Sequence, residues 1–261
     1  MSYLLIGAVA LLASALTLFS GFGLGTILMP VFALFFPVSI AIAATGVVHL
    51  ANNLFKLALV GRDADLSVVA RFSIPAALAA VIGASLLGLL SNVPPLGSYD
   101  LAGTVREIHA VKLIIGILIV AFALLEFSPA FAALSFPARY LPLGGLLSGF
   151  FGGLSGNQGA LRSAFLLKAG LEKEAFIATG VVSAVIVDTV RLVVYGLSFY
   201  ASSFVVLKGE VVVAAVIAMG AAFLGAYTGT RLIKKATLRF IQLLVAAMMI
   251  IIGLGLASGI M

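Results

Sequence analysis

Four charged side chains stand well inside long apolar stretches of this 261-residue chain: Lys56, Arg162, Asp188 and Arg191. A charge at the centre of a bilayer costs about 2.5–3.5 kcal/mol on insertion scales, so a residue of this kind is a functional candidate by default. Three positive charges against one negative leave a surplus of +2, with His49 counted neutral. That surplus calls for a negatively charged occupant, and a small anion is the partner it predicts.

The spacing of the polar residues supports a shared cavity. Thr45, His49, Asn52 and Lys56 follow one another at steps of four, three and four, which is one stripe of a helix, with Asn53 beside it. Further along, Thr179 and Ser183 share a face and Asp188 and Arg191 form an i, i+3 pair. Two glycine-rich interruptions precede these stripes, SGFGLG at Ser20–Gly25 and GGLSGNQG at Gly152–Gly159. A helix that restarts after such a break presents unpaired N–H groups and a positive dipole end, a combination that binds oxyanions. The first break offers the backbone of Gly23 and Gly25 with Thr26. The second adds Ser155, Asn157, Gln158 and Gly159, with Arg162 about one turn further on, where its planar fork can hold two oxygens. The candidate substrate-binding set is therefore these residues with His49, Asn52, Asn53, Lys56, Ser183 and Arg191. Asp188 and His49 are the groups whose protonation could couple to transport. Each has a plainer alternative. Asp188 and Arg191 can neutralise each other, Lys56 can snorkel, His49 can be a hydrogen-bonded core residue, and Asn52 and Asn53 can tie helices together.

The elements that position these residues follow from composition. With 63% hydrophobic and only 9% charged residues, 28 Gly and no Cys, the chain lacks the polar surface of a soluble domain, which carries about 25% charged residues. It reads as an all-α polytopic membrane protein embedded in a lipid bilayer. The net charge of +6 reads as cationic loops on the cytoplasmic side of the cell (inner) membrane rather than as a nucleic-acid surface. The opening MSYLLIGAVALLASALTLF lacks the basic stretch of a signal peptide and reads as part of the first span. Absence of cysteine excludes thiolate metal sites and cysteine nucleophiles, and no cofactor or metal is expected.

Eight apolar segments emerge: Leu4–Phe36, Val38–Val60, Val68–Leu90, Ile108–Leu125, Leu141–Leu167, Glu174–Gly196, Glu210–Leu232 and Leu238–Ile260. GRDADLS, SNVPPLGSYD, SPAFAALSFPARY, KAGLEK and KKATLR join them as short loops. The string ATGVV at Ala44–Val48 returns at Ala178–Val182, an offset of 134 that also aligns Gly25 with Gly159; at 135, Lys56 meets Arg191 and Gly61 meets Gly196. Two four-segment repeats follow, residues 1–130 and 131–261, in one membrane domain.

The first and fifth segments are too long for a single span. Leu4–Phe36 would reach about 50 Å as a straight helix, against a hydrocarbon core of about 30 Å. Each segment is expected to break at its glycines, where unwound backbone is tolerated only inside protein. If both broken segments return as re-entrant hairpins, the loop Lys and Arg divide nine against three, with three crossings per half and inverted repeats. If all eight segments cross, they divide eight against four, which does not discriminate. The hairpin arrangement is favoured; both arrangements put the two termini outside.

Two glycine breaks, SGFGLGTILMP and GGLSGNQGAL, each followed by an ATGVV-type helix, resemble the sulfite exporter TauE/SafE family of membrane permeases over Leu4 to about Leu256. GFGLGTILMP (Gly21–Pro30) matches that family's first glycine motif with its trailing proline; the second copy departs, reading GNQG and carrying Ala164 where the first has Pro30. The resemblance implies a secondary transporter, exporter or permease, for sulfite, an organosulfonate or a related sulfur-containing anion. An anion channel is the alternative. An intramembrane enzyme acting on a phospho- or sulfo-lipid finds little support, because the nearest carboxylate cluster is Asp63 and Asp65 in a loop and the chain has two His. Oligomeric state, a homodimer included, is left open.

Overall fold

In a computed structural model of the chain, residues 2–20, 24–128, 130, 133–199, 208–232 and 238–261 are described. Ten α-helices account for most of these: α1 (Ser2–Ser20), α2 (Leu24–Ala33), α3 (Val38–Val60), α4 (Leu66–Ser91), α5 (Ala110–Phe127), α6 (Leu141–Ser155), α7 (Gly159–Leu166), α8 (Lys173–Phe199), α9 (Lys208–Leu232) and α10 (Leu238–Ala257). Helix is the form such apolar runs must take in lipid, because it satisfies every backbone N–H and C=O within the segment. Among the described residues four stretches are long and apolar enough to cross a membrane: Val38–Asp63, Leu66–Ser91, Lys173–Leu197 and Gly209–Thr228.

Local chemistry sets the boundaries that matter. Pro37 precedes α3 with φ −50° and ψ 143°, an extended geometry that separates it from α2. The Asp65 carboxylate accepts from the N–H groups of Ser67 and Val68 and caps α4. Gly156 ends α6 in the left-handed conformation, φ 83°, which an L side chain rarely adopts. The chain then reverses. A Cβ built on Gly144, near the start of α6, would lie 2.2 Å from Cγ of Phe165 near the end of α7. Phe136 N–H also donates to Ala164 O at 3.3 Å, and the Phe136 and Phe165 rings stack at 4.3 Å. Helix α7 therefore runs back along α6 rather than onward from it. In the other half, α1 and α2 share one apolar cluster in which Ile6, Ala10 and Ala13 join Leu24, Ile27, Leu28, Val31 and Phe32.

One segment departs from the loop expected of SNVPPLGSYD. Gly97–Leu101 (β1) and Thr104–Ile108 (β2) form an antiparallel hairpin in which Leu101 pairs with Thr104. Its two-residue turn places Ala102 at φ 54° and Gly103 at φ 79°, as a primed turn requires, and Asp100 Oδ1 accepts from Gly103 N–H. The apolar-segment reading missed it because alternation over so few residues carries little signal beside 20-residue spans. The hairpin docks on the end of α10: Tyr99 Oη donates to Ser258 O at 2.7 Å and Arg106 Nη1 to Ile260 O at 3.1 Å.

Helices early and late in the chain pack on one another. Helix α1 packs on α9 and α6 on α4, while α3 packs on α8 and α5 on α10. The α4–α6 seam is built on glycine: Cβ atoms on Gly145, Gly149 and Gly153 would lie 2.1, 2.0 and 2.3 Å from the carbonyl oxygens of Phe72, Ala76 and Ala80. Small residues every fourth position let the two backbones touch, the form of association that membranes favour.

Candidate functional site

The two glycine breaks meet. A Cβ on Gly25 would sit 3.4 Å from the carbonyl oxygen of Gly156, 3.8 Å from Thr45 Cγ2 and 3.9 Å from His49 Cδ2. Helices α2, α3, α6 and α8 thus converge on one buried point, and the polar stripes of α3 and α8 face each other across it.

Asp188 is the hub. Its Oδ1 accepts from Gln158 Nε2 at 2.8 Å and from Arg191 Nε at 3.0 Å, and Arg191 Nη2 lies 2.8 Å from the same oxygen. Its Oδ2 lies 2.6 Å from His49 Nδ1. Asp188 and Arg191 are both fully buried, so each charge needs the other: a lone charge at this depth would carry a desolvation penalty of several kcal/mol. The guanidinium is wedged between backbone surfaces that only glycine leaves open. Its Nη1 donates to Gly152 O at 3.1 Å and stands 3.1 Å from where a Cβ on Gly156 would be, while its Cζ is 3.4 Å from a Cβ on Gly46.

This pairing locates the surplus charge. Arg191 is neutralised by Asp188, so the two remaining interior cations are Lys56 and Arg162. Among the described residues neither has a carboxylate in ion-pair range. Arg162 extends from α7 with Nε 3.8 Å from where a Cβ on Gly180 of α8 would be. Its Nη1 makes one long hydrogen bond, 3.4 Å, to Gln158 Oε1. Gln158 therefore touches both the Asp188 network with its nitrogen and Arg162 with its oxygen.

The other candidates divide into two groups. Gly25, Thr26, Asn157 and Gly159 are buried at the starts of α2 and α7 and the turn between α6 and α7, with no side chain capping α7. Asn53 Nδ2 donates to His49 O at 2.9 Å and lies 3.1 Å from His49 Nδ1, which holds it at the network. The hydroxyls and the remaining amide are engaged in packing: Ser155 Oγ donates to Phe151 O, Ser183 Oγ donates to Thr179 O and accepts from Ser73 Oγ, and Ser14 Oγ donates to Asn52 Oδ1, tying α1 to α3. Gly23 lies outside the described residues.

Two participants escaped the sequence-based set. Tyr195 Oη donates to Gly153 O beneath Arg191; its place four residues beyond Arg191 and seven beyond Asp188 puts it on the same face, a signal that helical spacing carries. Thr45, inside the α3 stripe, is fully buried and its Oγ1 has no hydrogen-bond partner among the described residues.

A buried, charge-paired network at the meeting of two broken helices, with two unpaired cations beside it, fits a binding site for anions within the membrane. The family model for the sulfite exporter TauE/SafE matches residues 6–256. No curated protein and no solved structure matches the chain at a significant level. With nearly its whole length covered, this multi-pass membrane protein belongs to the sulfite exporter TauE/SafE family, whose members are transporters and not enzymes.

Proposed function

We propose that the chain is a secondary transporter of the cell inner membrane, carrying a small sulfur-containing oxyanion by alternating access, with both termini outside. The observation that carries this reading is the unpaired couple Lys56 and Arg162 beside the second glycine break. A charged pair of this kind is stable in a membrane interior when an anion shares it. An oxyanion here would receive the planar fork of Arg162 and the point charge of Lys56, with the N-terminal N–H groups of α7 close by.

The return of α7 along α6, and the shared cluster of α1 and α2, support re-entrant pairs in both halves. The reciprocal packing of α1 with α9 and of α6 with α4 supports repeats related by a pseudo-two-fold axis, the plan of transporters that rock one repeat against the other around a central site. Proton coupling is assigned to His49 and Asp188, whose 2.6 Å contact is a place where one proton can be held or released.

Reconstituted liposomes provide the test. Internal unlabelled sulfite should accelerate uptake of labelled sulfite, as a carrier requires, and thermal shift should rank sulfite and organosulfonates above carboxylates. Uptake that ignores the internal anion and does not saturate would indicate a channel instead.

A further inference from the structure

The two facing helices carry the same pattern with one decisive change. At the offset of 135 that aligns Lys56 with Arg191, Asn53 falls on Asp188. The second half therefore reads Asp-x-x-Arg where the first reads Asn-x-x-Lys. In α8 the carboxylate three residues before the cation closes on it, with Asp188 Oδ1 at 2.8 and 3.0 Å from Arg191 nitrogens. In α3 the corresponding side chain is a neutral amide, turned to the carbonyl of His49 at 2.9 Å. The glycine of each ATGVV string also seats a guanidinium. A Cβ on Gly46 would lie 3.4 Å from Arg191 Cζ, and one on Gly180 would lie 3.8 Å from Arg162 Nε. One of these two seats has its carboxylate built in; at the other, among the described residues, no carboxylate comes within ion-pair range.

We propose that Asn53 is the specificity-determining residue of the anion site: its neutral amide leaves Lys56 and Arg162 unneutralised, and the substrate oxyanion takes beside them the place that the Asp188 carboxylate takes beside Arg191. This rests on the transporter reading given above and deepens it. The Asp188–Arg191 pair is then an internal copy of the bound state, and it defines the ligand chemistry. That ligand is a compact group with at least two oxygens sharing a negative charge, presented edge-on to a guanidinium. It follows that a carboxylate placed at position 53 would act as a tethered competitor, because it supplies the charge the substrate otherwise brings and repels the substrate itself.

The full chain, purified in detergent, is titrated with sodium sulfite and with sodium methanesulfonate while its thermal unfolding is followed. Asn53→Asp should weaken anion binding by about tenfold or more. Asn53→Ala removes the amide without adding charge and should weaken binding less than Asn53→Asp does, since it loses the contacts to His49 but brings in no competing carboxylate. Lys56→Met should weaken binding by about tenfold without lowering the ligand-free melting temperature, because it deletes an unpaired interior charge. Lys56→Met and Asn53→Ala carry the test should Asn53→Asp fail to fold. The proposal is overturned if Asn53→Asp or Lys56→Met binds as tightly as the parent, or if Asn53→Ala weakens binding as much as Asn53→Asp. If the parent itself responds to neither anion, the transporter reading of the site falls, a result distinct from parental binding that Asn53→Asp leaves unchanged.

Discussion

Arg162 combines a permanent charge, a planar fork and a position one turn beyond the second break, with one long side-chain hydrogen bond to hold it among the described residues. Replacing it by alanine should cost about 1.5–3 kcal/mol of anion binding, or roughly a ten- to hundredfold loss of affinity in a thermal-shift titration, with the fold intact. Lysine keeps the charge without the fork, so Arg162→Lys should fall between alanine and the parent. Asp188 behaves differently, because it is held by His49, Gln158 and Arg191 at once. Asp188→Asn leaves the fully buried Arg191 without its counter-charge and should destabilise the protein by about 3–5 kcal/mol. The double variant Asp188→Asn with Arg191→Gln should recover most of that loss in a melting experiment. Coupling is therefore better probed at His49. His49→Gln keeps a hydrogen-bonding side chain but no titrating ring, and it should abolish proton-driven accumulation in proteoliposomes while sparing sulfite exchange. A pH dependence unchanged in that variant would remove His49 from the coupling role.

At the scale of elements, glycine does two separate jobs. Gly145, Gly149 and Gly153 let α6 lie directly on the backbone of α4, whereas Gly156 reverses the chain into α7. A methyl group at Gly149 would meet Ala76 O at 2.0 Å, so Gly149→Ala must push the two helices apart and should cost about 1–3 kcal/mol of stability. Gly220, in the middle of α9, faces open space. Gly220→Ala should be neutral or raise stability by about 0.5–1 kcal/mol through helix propensity alone. Melting temperatures of the two variants measured side by side check both. The same seam explains why the sixth helix is short: its length is set by where the glycine ridge ends and the left-handed turn begins.

For the molecule as a whole, the arrangement places loops by end. Arg71 Nη2 reaches Ala138 O at 3.2 Å and Asp65 N–H reaches Thr179 Oγ1 at 3.0 Å, which gathers the loops before α4, α6 and α8 at one end. The β-hairpin and the residues after α10 lie together elsewhere, across the length of α4 from those loops. The chain has no native cysteine, so single cysteines report cleanly. Cysteines at Arg139 and Lys168 should be labelled by an impermeant maleimide from the same face of the membrane, and a cysteine at Ala102, the hairpin tip, from the opposite face. Labelling of 139 and 168 from opposite faces would show that the fifth segment crosses fully, and the inverted-repeat reading would fall.

Much of this molecule is written in its order of residues. The membrane class follows from composition, because nothing but lipid solvates such a surface, and the surplus of interior charge follows from counting. The meeting of His49, Asn53, Gln158, Asp188 and Arg191 was also foreshadowed, since stripes at helical spacing after two glycine breaks have few ways to converge. The i, i+3 spacing already offered Arg191 as the partner of Asp188. What counting left undecided was whether that pair closes, and packing against Gly46, Gly152 and Gly156 buries Arg191 on the carboxylate and leaves Lys56 and Arg162 with no carboxylate in ion-pair range among the described residues. Tertiary structure likewise supplied cross-helix partners for Ser183 and Asn52, because a hydroxyl or amide bonds whichever group its neighbours bring within 3 Å or so. Ser73 donates to Ser183 from 110 residues away and Ser14 to Asn52 from 38, pairings that short-range sequence periodicity does not contain.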